Sequence, residues 1–160
     1  VSPSNPLPVA VYSGVAGTFW TDRKSPPGIT TGAAYADKDA IGTSFYFDVP
    51  DSGILDAAAY YDLDDEGLQV DLWLFEVDIT PQTDNGAFAL ADDALVRVID
   101  VIQFSGPFYD AGNGQCALVG SIGMPYFVAS GRIFCQVQAR GALNIAAGNL
   151  PTFQLRMRAD

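Results

Sequence analysis

Six consecutive residues, Asp62-Leu63-Asp64-Asp65-Glu66-Gly67, hold the densest set of chemically capable side chains in this sequence. Clustered carboxylate oxygens suit calcium, the natural ion for an acidic β-protein. The run lacks the spaced Asp-x-Asp-x-Asp-Gly…Glu order of an EF-hand loop, and a solvated hairpin tip explains it more simply. The expectation is no cofactor, with Ca2+ as the one ion the sequence could accommodate. A pair of carboxylates across a cleft is also the equipment of a glycosidase. Nineteen acids make a chance pair unavoidable, but only two are Glu, and Glu66 sits in this turn.

Other chemistry is poorly supplied. The chain has no histidine, the usual proton carrier near neutral pH and the commonest transition-metal ligand. Two cysteines, Cys116 and Cys135, cannot by themselves complete a zinc site. Neither lysine, Lys24 or Lys38, stands in an apolar stretch that would depress its pKa and make it a base for a Ser or Cys nucleophile. Gly112-Asn113-Gly114 is not followed by Gly-Lys-Ser/Thr and reads as a turn, not a phosphate loop. No catalytic residue and no metal ligand is assigned, and a non-enzymatic protein is expected. A polysaccharide-acting hydrolase is the enzymatic alternative, which a turnover assay would reveal.

The charge map points instead to surfaces that meet surfaces. Net charge is −11, and 16 of the 19 carboxylates lie between Asp37 and Asp100, against Lys38 and Arg97. Residues 1–36 carry net +1 and residues 101–160 net +2. The simplest reading is a solvated acidic face; the sharper one is a basic rim on one copy meeting an acidic face on the next. Basic residues nowhere cluster beyond Arg156 with Arg158, so neither nucleic acid nor an anionic membrane is an expected partner. Charged residues make up only 17%, which leaves much neutral surface. The start has neither a basic end nor an apolar run, and no stretch approaches the roughly 18 apolar residues of a membrane helix. A soluble chain made in a cytoplasm, with reduced thiols, is expected; a Cys116–Cys135 bridge is the alternative.

Strands must position all of this. With 49% hydrophobic residues, among them ten Phe and seven Tyr, the chain is long enough for one folded domain with a real core. Three prolines, Pro3, Pro6 and Pro8, make the first eight residues an extended arm. Short strands are read at 9–12 and 18–21, then longer ones at 43–49, 53–63, 69–77, 96–104, 115–119, 126–129, 132–139 and 151–158. The alanines Ala57, Ala58 and Ala59 could favour helix, but Ile54, Tyr60 and Tyr61 favour strand. Both sides of Leu72-Trp73-Leu74-Phe75 are apolar, as in a strand covered on both faces. A helical turn is read at 88–95, and Asn113-Gly114 is a hairpin signal. Cys135 is in phase with Ile133 and Val137 and reads as core. The last strand alternates Phe153, Leu155 and Met157 inward with Gln154, Arg156 and Arg158 outward. The fold class is all-β: an antiparallel two-sheet β-sandwich, jelly-roll-like, of about eight strands. Residues 1–32 form a Pro-rich arm and loop, and residues 33–160 the sandwich. The aromatics Tyr12, Phe19, Trp20, Tyr35, Phe108 and Tyr109 fall in loop or edge segments, where they pack locally, anchor a subunit contact or stack on a glycan.

From about Ala33 onward the sequence resembles a family of small virion structural proteins encoded in the head modules of tailed phages. Tyr35-Ala36-Asp37-Lys38-Asp39-Ala40-Ile41-Gly42 is similar to that family's Tyr-x-x-Gly-Asp-x-Val-Gly opening, with Lys38 where glycine is usual. Leu72-Trp73-Leu74-Phe75, Pro81 and Thr83-Asp84-Asn85-Gly86-Ala87-Phe88 resemble its core. Val98-Ile99-Asp100-Val101-Ile102-Gln103-Phe104, Gly123-Met124-Pro125-Tyr126 and the run from Arg132 through Arg140-Gly141 follow in order. The resemblance implies a β-sandwich that coats or cements a phage head and carries no catalytic residues to transfer. With the charge map it sets the expectations: a capsid decoration protein on the virion surface, bound to the major capsid protein, associating as a homotrimer. Pro3, Pro6, Pro8, Tyr12, Phe19 and Trp20 are the expected interface residues. The alternative is a tail or fibre module that binds host surface glycan.

Overall fold

The computed structural model describes residues 17–159. In chain order the strands are β1 (Thr18–Trp20), β2 (Ala34–Tyr35), β3 (Ala40–Asp48), β4 (Ser52–Asp62) and β5 (Val70–Phe75). After the helical turn α1 (Asp92–Leu95) come β6 (Val98–Phe104), β7 (Tyr109–Asp110), β8 (Gln115–Val119) and β9 (Met124–Phe127). The last three are β10 (Arg132–Ala139), β11 (Leu143–Asn144) and β12 (Thr152–Ala159). The chain is an all-β sandwich of antiparallel sheets. The larger sheet runs β1-β12-β4-β8-β7, with β9 beside β8 along the same edge of β4; the second runs β3-β10-β5-β6. β11 and β2 form a separate two-stranded sheet.

Eight strands make the two faces, and their pairing is nested. Among these eight, the first pairs with the last (β1 with β12), the second with the seventh (β3 with β10), the third with the sixth (β4 with β8) and the fourth with the fifth (β5 with β6). Beyond these eight, the described residues add β9, four residues paired with β4, and β2, β7 and β11 of two residues each. The two-residue strands are too short to leave an alternation in the sequence.

β12 shows why the residues fold this way. Phe153, Leu155 and Met157 are fully buried while Arg156 and Arg158 are exposed, the period-2 pattern of a half-buried strand. Phe153 stacks on Tyr60 of β4 at 5.1 Å and meets Phe45 of β3 and Phe104 of β6 at 6.3 and 6.0 Å, joining the two sheets. β4 is a strand despite its alanines. It lies between β12 and β8, where Ala59 pairs with Gln154 on one side and Leu118 on the other. Two ladders of cross-strand bonds outweigh a helix preference worth a few tenths of a kcal/mol per alanine.

β5 is covered on both faces. Val70, Leu72 and Leu74 enter the main core. The opposite side, Asp71, Trp73 and Phe75, lies in register with Gln138, Gln136 and Phe134 of β10. On that outer face Phe75 and Gln136 are fully buried, because residues 76–97 fold back over the sheet. Phe88 packs on Trp73 at 5.2 Å, and the excursion is closed at its base by Glu76 N donating to Arg97 O (3.1 Å). The helical turn expected at 88–95 is confined to Asp92–Leu95, since Phe88 is drawn down onto Trp73. The strand expected at 126–129 begins two residues earlier and ends at Phe127. Its pairing with β4 sets these bounds, Met124 opposite Leu55 and Phe127 opposite Ser52. The Asn113-Gly114 signal marks a real hairpin between β7 and β8, closed by Ala111 N to Gly114 O at 2.8 Å.

Candidate functional site

Two segments quoted for the resemblance, residues 35–42 and 83–88, are brought into contact through one carboxylate. Asp84 accepts from the Tyr35 hydroxyl (2.8 Å), Thr30 N (2.9 Å) and Gly42 N (2.5 Å). Around it Ala40 N donates to Gly86 O (2.8 Å), Asn85 N to Ala40 O (2.9 Å) and Phe88 N to Lys38 O (2.9 Å). Burial works to raise the Asp84 carboxyl, and the hydrogen bonds from Thr30, Tyr35 and Gly42 overcome it, leaving the group below its usual value. Burial first, and then the bond to Asp84, push the Tyr35 hydroxyl well up. Of the readings open to the edge aromatics, Tyr35 takes local packing: it lies in the two-residue β2, is 1% exposed and belongs to the core. Its burial depends on an aspartate 49 residues away, which local sequence does not reveal. Gly42 has φ 64°, and a Cβ there would lie 2.6 Å from Pro26 Cβ. Lys38 has φ 69°, the left-handed region that glycine enters without penalty. That conformation gives a physical reason for glycine being usual at this position in the resembled pattern.

Two carboxylates of the acidic run, Asp62 and Asp64, build a structural turn, while Leu63, Asp65 and Glu66 stay exposed at its tip. Asp62 is 2% exposed, and its carboxylate accepts from Asp64 N (3.1 Å), Gly67 N (3.0 Å) and Gln115 Nε2 (3.1 Å). Asp64 accepts from Ala146 N (2.7 Å) and Asn149 Nδ2 (3.3 Å). These oxygens are occupied by amide donors. Among the described residues no three acidic or cysteine side chains gather in an arrangement that could hold a metal ion.

Two surfaces remain as the candidate functional site. The first is an open apolar groove of about 410 Å3, where residues 76–78 meet the β9–β10 turn. Val77, Phe127, Ala129 and Phe134 line it, and Glu76 and Asp78 stand at its rim. Phe127 is 69% exposed, an unusual position for a ring of that size. Phe134 leads on to Tyr46 (5.9 Å between rings), over which the Arg132 guanidinium lies at 4.1 Å. Val96, 77% exposed, directly precedes Arg97, whose carbonyl accepts from Glu76 N at the start of the groove's 76–78 wall. Sequence reading missed this groove. Its signal was the doublet Tyr126-Phe127: adjacent aromatics in one strand face opposite ways, so one ring must lie outside.

The second surface is the outer face of the larger sheet. β1 divides the expected pair: Phe19 lies partly buried against the core, and Trp20 points out, 43% exposed, opposite Arg156. Arg23 lies over the Tyr61 ring of this face at 4.8 Å, and Leu118 is 55% exposed. Tyr109 is exposed at the β7 edge, while Phe108 is half-buried with its ring edge on Tyr60 at 6.3 Å. Pro3, Pro6, Pro8 and Tyr12 lie outside the described residues. Both cysteines are free, Cys135 fully buried in β10 and Cys116 half-buried in β8. The remaining buried charge is Asp71, bound to Arg140 Nε at 3.2 Å. Burial pushes its carboxyl up and Arg140 draws it back.

No protein-family model, no curated protein and no solved structure matches this chain. What the fold and site define is an all-β sandwich with exposed apolar and aromatic surfaces. Among the described residues no helix is long and apolar enough to cross a membrane.

Proposed function

We propose that this protein is a non-enzymatic cement of a tailed-phage head, bound to the major capsid protein on the outer surface of the shell. The nested strand pairing supports a jelly-roll winding of the sandwich. The observation that carries the functional reading is the Phe127 groove. A large ring held outside the core, beside an apolar trough, is suited to burial against another protein. Cementing works by adding such burial between neighbouring capsomers. At about 25 cal/mol per Å2, an interface of roughly 800 Å2 per partner offsets the ordering costs of binding. The contact between residues 35–42 and 83–88 through Asp84 adds support, since it makes two segments of the resemblance one structural unit.

The test is cosedimentation of the full chain with purified heads that lack it, together with a count of copies per virion. Loading in hundreds, weakened at least ~10-fold by Phe127→Ser, is expected, about 1.4 kcal/mol of binding. A handful of copies at the tail, or no affinity for heads, would overturn the reading. A second reading, a tail or fibre module that binds host glycan, is favoured by Tyr46, Phe134 and Arg132 beside the groove, rings on which a sugar can stack. Saturable binding on a glycan array, lost in Phe127→Ser, would select it.

A further inference from the structure

Two exposed patches on opposite outer sides of the sandwich differ in the sign of their charge. On the outer face of the larger sheet Trp20 lies opposite Arg156, and Thr18 opposite Arg158. Arg23 covers Tyr61 on the same face. Asp56 stands 3.7 Å from Arg156 Nε, and the exposed Asp22 precedes Arg23 in the chain. On the far side of the molecule the excursion over the second sheet carries the exposed Asp78, Asp92 and Asp93, with Glu76 paired to Arg97, while Arg132 and Arg140 stand elsewhere on that sheet's outer face. Each side also has an apolar centre. Trp20 is 43% exposed on the basic side; Val77, Leu95 and Val96 are 40, 52 and 77% exposed on the acidic side.

We infer that these two sides are the two halves of one contact between copies of this chain: the Trp20–Arg156–Arg158 face of one copy seats against the Leu95–Val96 ridge and the Asp92 and Asp93 carboxylates of the next. The occupant follows from complementarity in sign and in the pairing of a flat aromatic anchor with an apolar ridge. Because the halves lie on opposite sides of one sandwich, the contact cannot be a two-fold in which one patch meets itself. It is head-to-tail, and closes into a ring where the rotation permits. It does not rest on the head-binding reading.

Sedimentation velocity of the full chain over a concentration series tests it. Wild type associates, and raising the salt weakens the association by screening the charged rim. Arg156→Glu with Arg158→Glu puts acid on both sides of one variant, and Asp92→Lys with Asp93→Lys puts base on both sides of another. Each variant alone loses association by at least ~10-fold, the effect of about 1.4 kcal/mol. An equimolar mixture of the two recovers it, since acidic sides then meet basic sides at every junction. The exposed positions Trp20→Ala and Val96→Asp give the same loss, so the test survives if a charge variant folds poorly. A wild type that stays monomeric throughout, variants that associate as wild type does, or a mixture that recovers nothing overturns the inference. A monomer that still loads onto heads would remove this contact and leave the head-binding reading standing.

Discussion

Asp84 sits where three chain segments meet, and one substitution there should separate them. Its carboxylate accepts from Tyr35, Thr30 and Gly42, and hydrogen bonds to a charged, partly buried group are worth about 1.5–3 kcal/mol each before solvent screening. Asp84→Ala is expected to cost about 2–4 kcal/mol in urea unfolding, and a change under ~0.5 kcal/mol would refute the clasp. The pH dependence follows in sign. The folded carboxyl lies below its ordinary 3.8, so its contribution is complete above that value and is lost as pH falls through the lower folded value. Asp84→Asn lacks the contribution at every pH, and its deficit against wild type should shrink in acid. Lys38 gives the opposite test. A left-handed non-glycine residue is strained by about 1 kcal/mol, so Lys38→Gly should keep or raise stability by up to ~1 kcal/mol in the same unfolding experiment.

At the scale of elements, β10 and β8 treat their cysteines differently. Cys135 is fully buried between β3 and β5, and burial pushes its thiol well above the usual value. Cys116 is half-buried on the outer face of β8. A thiol reagent followed by mass spectrometry should label Cys116 in the native protein and Cys135 only on unfolding. Two equally fast thiols, or none because of a bridge, would contradict this arrangement.

The elements also show what was legible in the sequence. The alternation of β12 and the two-faced apolarity of β5 announce how each is buried, because both are local patterns. Cys135 was readable as core for the same reason. Tyr35, the Asp62 turn and the Phe127 groove were not. Each is made by residues far apart in the chain: Tyr35 by Asp84, Asp62 by Gln115, and the groove by Val77 with Phe134. Spacing reports what one segment buries, not what another segment lays over it. Phe19 and Trp20 were read alike as edge aromatics and not told apart, since three residues are too few to set a phase without the β12 register.

For the whole molecule, Phe153 is the joint. It touches rings from both sheets, so Phe153→Ala removes contact across the sandwich as well as within β12. The expected loss is about 3–5 kcal/mol, in one cooperative transition seen alike by near-UV and far-UV circular dichroism. Two separated transitions would mean that the sheets fold as independent units. The nested pairing makes most of the bonding long-range in sequence, with residue 18 held opposite residue 158. Such a topology folds slowly compared with a helical bundle of equal size.

β12 lies between β1 and β4. Until it arrives, each of those strands presents a bare ladder of amide and carbonyl groups. During synthesis on a ribosome the larger sheet therefore stays open until nearly all of these residues have emerged. A nascent or prematurely terminated product would expose two sticky margins, inviting strand exchange with its neighbours.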